Sequence, residues 1–345
     1  MLSQIPGRDA LADRISTVTG ALTAVSGVQA AGPYVFVEVR PAGSNTFKLF
    51  VREPGVPEPR LLLDPDSMAA ADSHMSLDYW LASPDGAHVI VGTSPAGSED
   101  STLRIIDTAT GALLPEAIDR AQFGSPCWLP DGAGFFFVRL KAGTKHGDPD
   151  HYADSVNWLH RLGTDPSTDV RILARGVDAQ VPMQDIDVPI VLAQSGASVA
   201  LGLIARGVLN EVELYAAPLD QVQAGKASWR PVCRFADDVT GVAQHGDDLY
   251  LLTHKGAPRF RLLKTSAAKP DLASAKEAIP EGDAVLKGVA AARDGVYVQS
   301  LAAGLGRLSR LAPDGALTPV KLPFEGSIGQ LSADPLADGC WFSLE

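Results

Sequence analysis

The chain has 345 residues, 46% hydrophobic and 20% charged, with 33 glycines and 25 prolines to serve turns. Its 29 basic and 41 acidic residues give a net charge of −12, and no Lys/Arg cluster could neutralise a row of phosphates, which argues against a nucleic-acid partner. No apolar run approaches the roughly 18–20 residues that span a bilayer, and residues 1–20 lack a basic start followed by an apolar core, so a cytoplasmic protein is expected.

The first predicted element is a short N-terminal helix within residues 6–18, where Leu11, Ile15 and Val18 fall at helical spacing. From there a Gly-centred turn followed by a short apolar run recurs seven times, at Gly32, Gly86, Gly132, Gly196, Gly246, Gly295 and Gly339. By subtraction the spacings are 54, 46, 64, 50, 49 and 44 residues. A period of about 40–50 residues with several short strands each is the mark of a β-propeller, whose blades bury their faces only by stacking on their neighbours.

The second repeat shows a whole predicted blade. Leu77–Ala82 reads as a first strand, Ser83-Pro84-Asp85-Gly86 as a tight turn and His88–Thr93 as the returning strand. Thr102–Asp107 alternates as a third strand, and the turn at Gly111 leads to a fourth over Ala112–Leu114. The third repeat adds a long polar loop from Lys141 to Ser155, then strands over Val156–Leu162 and Val170–Ala174. Blades four to six are expected from about Gln184, Val239 and Ala284. The seventh is expected to be half a blade, with Cys340–Leu344 following its turn. The fold class is therefore all-β, a seven-bladed propeller with an incomplete last blade. Cys127, Cys233 and Cys340 are widely spaced in apolar strand contexts and read as free thiols.

Several strings carry a family resemblance. They are Tyr79-Trp80-Leu81-Ala82-Ser83-Pro84-Asp85-Gly86, Gly97-Ser98-Glu99-Asp100-Ser101-Thr102-Leu103 and Trp128-Leu129-Pro130-Asp131-Gly132. With His160-Arg161-Leu162-Gly163-Thr164-Asp165-Pro166 and the later Lys255-Gly256-Ala257-Pro258-Arg259, they resemble, in order, the propeller of the prolyl oligopeptidase family of serine peptidases. The resemblance implies a propeller, residues 27–345, that caps an α/β-hydrolase domain and admits short peptides. It also implies that residues 1–26 belong to that hydrolase domain, which would be the main partner.

Serine acyl transfer needs a nucleophile on a Gly-x-Ser-x-Gly elbow with an acid and a His downstream. Gly92-Thr93-Ser94-Pro95-Ala96 and Gly196-Ala197-Ser198-Val199-Ala200 both fail at the last position. No residue here inherits a catalytic role, and no cofactor is implied. The resemblance does carry to a pocket wall: Phe123, five residues before Trp128, stands where the family places a substrate-facing Phe, and Met183 is the nearest match to a Met of similar role. Either could instead be inter-blade core.

Other constellations have plainer readings. His146-Gly147-Asp148-Pro149-Asp150-His151 offers metal-ligand residue types, but Gly and Pro in a polar loop fix no geometry, so a solvated loop and no metal are expected. Asp237-Asp238 and Asp247-Asp248 abut turns. Trp158, His160 and Leu162 alternate onto one face as packing residues. The rival readings are a stand-alone interaction scaffold and an enzyme with its own site in the central channel.

Overall fold

In the computed structural model, which describes residues 5–70 and 73–345, each of the seven turns joins two antiparallel strands. Glycine is required at Gly32, where φ is +53° and an added Cβ would lie 2.2 Å from the Asp85 carbonyl oxygen of the next repeat. The turns of neighbouring repeats thus interlock.

Six four-stranded antiparallel blades follow one another. Blade one holds β1 (Ala24–Ala31), β2 (Tyr34–Arg40), β3 (Lys48–Arg52) and β4 (Arg60–Leu63). Blade two holds β5 (Met75–Ala82), β6 (His88–Pro95), β7 (Thr102–Asp107) and β8 (Leu113–Ile118). Blade three holds β9 (Cys127–Trp128), β10 (Gly134–Arg139), β11 (Val156–Arg161) and β12 (Val170–Leu173). Blade four holds β13 (Asp187–Leu192), β14 (Val199–Arg206), β15 (Val212–Pro218) and β16 (Arg230–Cys233). Blade five holds β17 (Val239–His245), β18 (Asp248–Thr253), β19 (Arg261–Ser266) and β20 (Lys276–Ile279). Blade six holds β21 (Val285–Ala292), β22 (Gly295–Ala302), β23 (Leu305–Leu311) and β24 (Leu317–Val320).

The seventh turn corrects the expected count of seven blades. It joins only β25 (Ile328–Ser332) to β26 (Trp341–Leu344), a two-stranded sheet, so the structure has six blades and a hairpin. The physical reason is simple: a Gly turn marks a hairpin, and two hairpins make a blade. The N-terminal helix is present as α1 (Arg8–Gly20), with Leu11, Ile15 and Val18 each more than half exposed. The sequence reading did not anticipate a second, short helix, α2 (Leu219–Gln223), between β15 and β16. No helix among the described residues is long and apolar enough to cross a membrane.

The core is divided between the sheets, as stacked blades require. Phe36, Leu49, Val51 and Leu63 meet Val89 and Val91 between blades one and two. Ile90, Leu103 and Ile105 meet Phe135 and Phe137 between blades two and three, with Trp128 edge-on to Phe135 at 5.4 Å. Blade six packs Tyr297 and Leu308 on Ile328, Phe342 and Leu344 of the hairpin. His160 follows the packing expectation: it is fully buried beside Phe135, with Nδ1 2.7 Å from Asp169 Oδ1.

Ionic contacts fix the hairpin to blade six. The Asp294 carboxylate accepts bonds from Arg310 Nη1 at 2.8 Å, the Tyr297 hydroxyl at 3.0 Å and the Gly339 amide at 3.1 Å. Arg293 reaches across to Asp338 Oδ1 at 2.8 Å. Burial opposes ionisation of Asp294, but the three donors outweigh it and hold its carboxyl below the ordinary value of 3.8. A depressed carboxyl contributes stability that is complete above its unfolded value and lost as pH falls through the folded one. The urea midpoint of the native chain should therefore fall more between about pH 6 and about pH 3 than that of Asp294→Asn, and equal falls would contradict this coupling.

Candidate substrate channel

The first strands of the blades surround one cavity of about 800 Å³. Its wall includes Gln29 of β1, Trp80 of β5, Cys127 of β9, Gln194 just beyond β13, Gln244 of β17 and Gln330 of β25. The hairpin thus supplies a seventh wall segment. Each first strand pairs within its blade through one edge only, so its free edge faces the cavity, which is why runs of consecutive residues such as 79–81 and 242–244 line it.

Several of these polar groups are already engaged. Gln29 pairs with the Ala82 backbone, accepting from the amide at 2.9 Å and donating to the carbonyl at 3.3 Å. The Trp80 indole donates to Glu38 Oε2 at 2.8 Å, and Gln330 Oε1 accepts the Val28 amide at 3.0 Å, which closes the ring from β25 to β1. Cys127 Sγ accepts the Ala193 amide at 3.1 Å, and burial raises its thiol to about 11. It is therefore a weak nucleophile at neutral pH. No histidine lines the cavity, and Glu38, the carboxylate on its described walls, accepts the Trp80 indole.

In an up-and-down meander, the connectors entering each first strand share one end of the ring with the loops between second and third strands. Phe123 and Met183 lie in two such connectors, before β9 and β13, and α1 leads into β1 from this end. Phe123 is 43% exposed at the tip of a turn closed by the Gly124 amide and the Ala121 carbonyl. The buried Tyr79 hydroxyl donates to the same Ala121 carbonyl at 2.8 Å. Gly124 must remain glycine, since a Cβ there would lie 2.3 Å from the Tyr79 hydroxyl oxygen. The Phe123 ring contacts Tyr152 of the loop between β10 and β11 at 5.7 Å. Met183 is half-buried against the core between blades three and four. The structure thus presents an aromatic at this end and holds the methionine against the wall.

The chain matches the family described as prolyl oligopeptidase, N-terminal β-propeller domain, over residues 1–338. It belongs to that family. Among curated relatives, a prolyl endopeptidase of Elizabethkingia meningoseptica is 27% identical over 282 residues, covering 81% of this chain and 38% of the relative. Prolyl oligopeptidase A of Amanita bisporigera is 27% identical over 237 residues, covering 63% of this chain and 30% of the relative. A solved prolyl endopeptidase structure superimposes with a TM-score of 0.79 at 25% identity, covering 96% of this chain and 47% of that one. Prolyl oligopeptidase B of Galerina marginata superimposes with a TM-score of 0.82 at 18% identity, which speaks to fold alone. The chain spans about a third of the curated relatives' length and corresponds to their non-catalytic propeller.

The polar channel residues escaped the sequence reading. Their signal was a glutamine in an otherwise apolar first strand shortly before the turn, as in Gln194 before Gly196 and Gln244 before Gly246.

Proposed function

We propose that this propeller gates access of short peptides to an α/β-hydrolase domain that supplies the catalytic triad and cleaves after proline. The observation that carries the reading is the channel ringed by the first strands, whose described walls hold no histidine, with an anchored, exposed Phe123 at the connector end. A channel through the ring would select by size, and an aromatic ring gives an apolar contact for a proline-containing peptide. In this reading α1 and the residues leading to β1 pack on the hydrolase, where Leu11 and Val18 would be covered, the boundary with the propeller falling at Ala24 rather than after residue 26, and Met183 lines the same pocket less directly. Three free cysteines suit a reducing, cytoplasmic setting.

The test is hydrolysis of a chromogenic Gly-Pro amide by the 345-residue chain, beside the same chain extended by whatever reading frame follows Glu345. The expected result is hydrolysis by the extended chain alone. In that enzyme Phe123→Ala should raise KM about 2- to 10-fold, the value of one aromatic contact, with an unchanged denaturation midpoint. Hydrolysis by the short chain would overturn the assignment. An inactive extended chain would favour an interaction scaffold instead.

A further inference from the structure

The loop from Lys141 to Ser155 is not the wholly solvated loop its composition suggests. His151 is only 5% exposed, and its Nε2 is buried without a hydrogen-bond partner. That nitrogen faces Asp100 Oδ1 at 4.0 Å, on the loop between β6 and β7 of the neighbouring blade. His146 Nδ1 approaches the same oxygen at 3.9 Å, and the three atoms lie within 4.8 Å of one another. We propose that Asp100, His146 and His151 form a binding site for a divalent transition metal of the zinc class, joining the loops of blades two and three.

The surrounding bonds prepare this geometry. Asp148 folds the loop by accepting the Lys145 amide at 2.7 Å on its side chain and the His151 amide at 3.1 Å on its carbonyl, which brings His146 and His151 together. On the other loop, Ser94 and Ser101 donate to the two oxygens of Asp78 at 2.9 and 2.6 Å, holding the segment that carries Asp100. His151 Nδ1 lies 3.2 Å from Thr144 Oγ1, whose hydroxyl donates to the Lys141 carbonyl at 3.4 Å. With its hydroxyl donating to Lys141, Thr144 Oγ1 is free to accept from an Nδ1–H tautomer, which would leave the Nε2 lone pair directed at the site. This is the second-shell arrangement that sets the tautomer of ligating histidines.

The donor set selects the metal. Two imidazoles and one carboxylate suit zinc, copper or nickel, whereas magnesium and calcium prefer all-oxygen shells. Ligand atoms around tetrahedral zinc stand roughly 3.3 Å apart for bonds near 2.0 Å. The observed separations need to contract by about 0.6–0.7 Å at the Asp100 pairs and by up to about 1.5 Å between the two imidazoles. The Asp100 and His146 side chains, 49% and 60% exposed, can supply that movement while His151 stays fixed. A fourth position would be left to water. The His151 ring meets Tyr152 at 4.7 Å, and Tyr152 meets Phe123, so the metal would also stiffen the connector end of the ring.

The test is calorimetric titration of the 345-residue chain with Zn²⁺, and separately with Mg²⁺. One equivalent of Zn²⁺ should bind in the micromolar range and Mg²⁺ should not. His146→Ala and Asp100→Asn should each weaken binding at least tenfold without moving the denaturation midpoint. Thr144→Val should weaken it about tenfold through the tautomer. Titration with Co²⁺ should give a tetrahedral spectrum without a thiolate charge-transfer band, which separates this site from the three cysteines. No saturable binding, unchanged affinity in both ligand variants, or a thiolate band would each overturn the proposal.

Discussion

Replacement of Asp187 by alanine is expected to lower the unfolding free energy by about 3–5 kcal/mol, the cost of stripping the partner from a buried charge. Asp187 is fully buried at the head of β13, cross-strand from Arg206 of β14. Oδ1 accepts from Arg206 Nε, and Oδ2 from Arg206 Nη2, both at 2.7 Å, a bidentate geometry that resists rearrangement. Oδ2 also accepts the Gln184 amide at 2.7 Å, and the Asp187 carbonyl accepts the buried Ser155 hydroxyl at 3.3 Å. The Arg206 guanidinium lies over Phe235 at 4.3 Å with only 26% of its side chain exposed, so solvent replaces the lost carboxylate poorly. One residue thus ties two strands, the connector bearing Met183 and the loop bearing His151. Urea denaturation of Asp187→Ala, of Arg206→Met and of the double variant measures the coupling. The double variant should recover part of the loss, because no unpaired charge remains. A single-variant loss under about 1 kcal/mol, or simple additivity, would show the pair to be incidental.

The parts of the fold legible in the sequence are those encoded within a few residues. Pro84-Asp85-Gly86 fixes a turn through its own backbone preferences, and β7 begins and ends at Thr102 and Asp107 as its alternation predicts. First strands and connectors could be placed because each turn is a local landmark. The blade count was less legible, since Gly339 announces β26 with the same chemistry that announces a full blade. The site features that stayed hidden are non-local. Asp100 meets His151 only because blades two and three stack, and Asp187 finds Arg206 only through the register of β13 and β14. Phe123 was singled out only through the family resemblance, by its place before Trp128, and its exposure depends on Tyr79 holding Ala121 from the blade before. Pattern reads what a segment does to itself, and the channel and its mouth are made between segments.

A chain lengthened beyond Glu345 by two strands pairing with the free outer edge of β26 is expected to unfold about 4 kcal/mol less readily. Buried apolar clusters fill the five junctions between successive blades and the one between blade six and the hairpin. Among the described residues no such cluster lies between the hairpin and blade one. There β1 lies against β25 and β26, with the Val28–Gln330 bond and Arg52 over Trp341 at 5.8 Å, and Trp341 is 40% exposed. Phe36, Leu49 and Val51 are buried towards blade two, so alternation turns Val35, Val37, Val39 and Phe50 towards this junction, half-buried. Leu61, cross-strand from Phe50, is 45% exposed on the same side. Completing the burial of roughly five side chains at about 0.8 kcal/mol each gives the expected gain. The added strands must also be ordered, a cost that their own pairing and packing on blade six would offset. The urea midpoint is the direct measure, read beside a lengthened chain carrying Leu61→Asp, which should lose most of the gain because it buries a charge at the new junction. Equal midpoints for the short and lengthened chains would mean that β25 and β26 close the ring unaided and that no seventh blade forms.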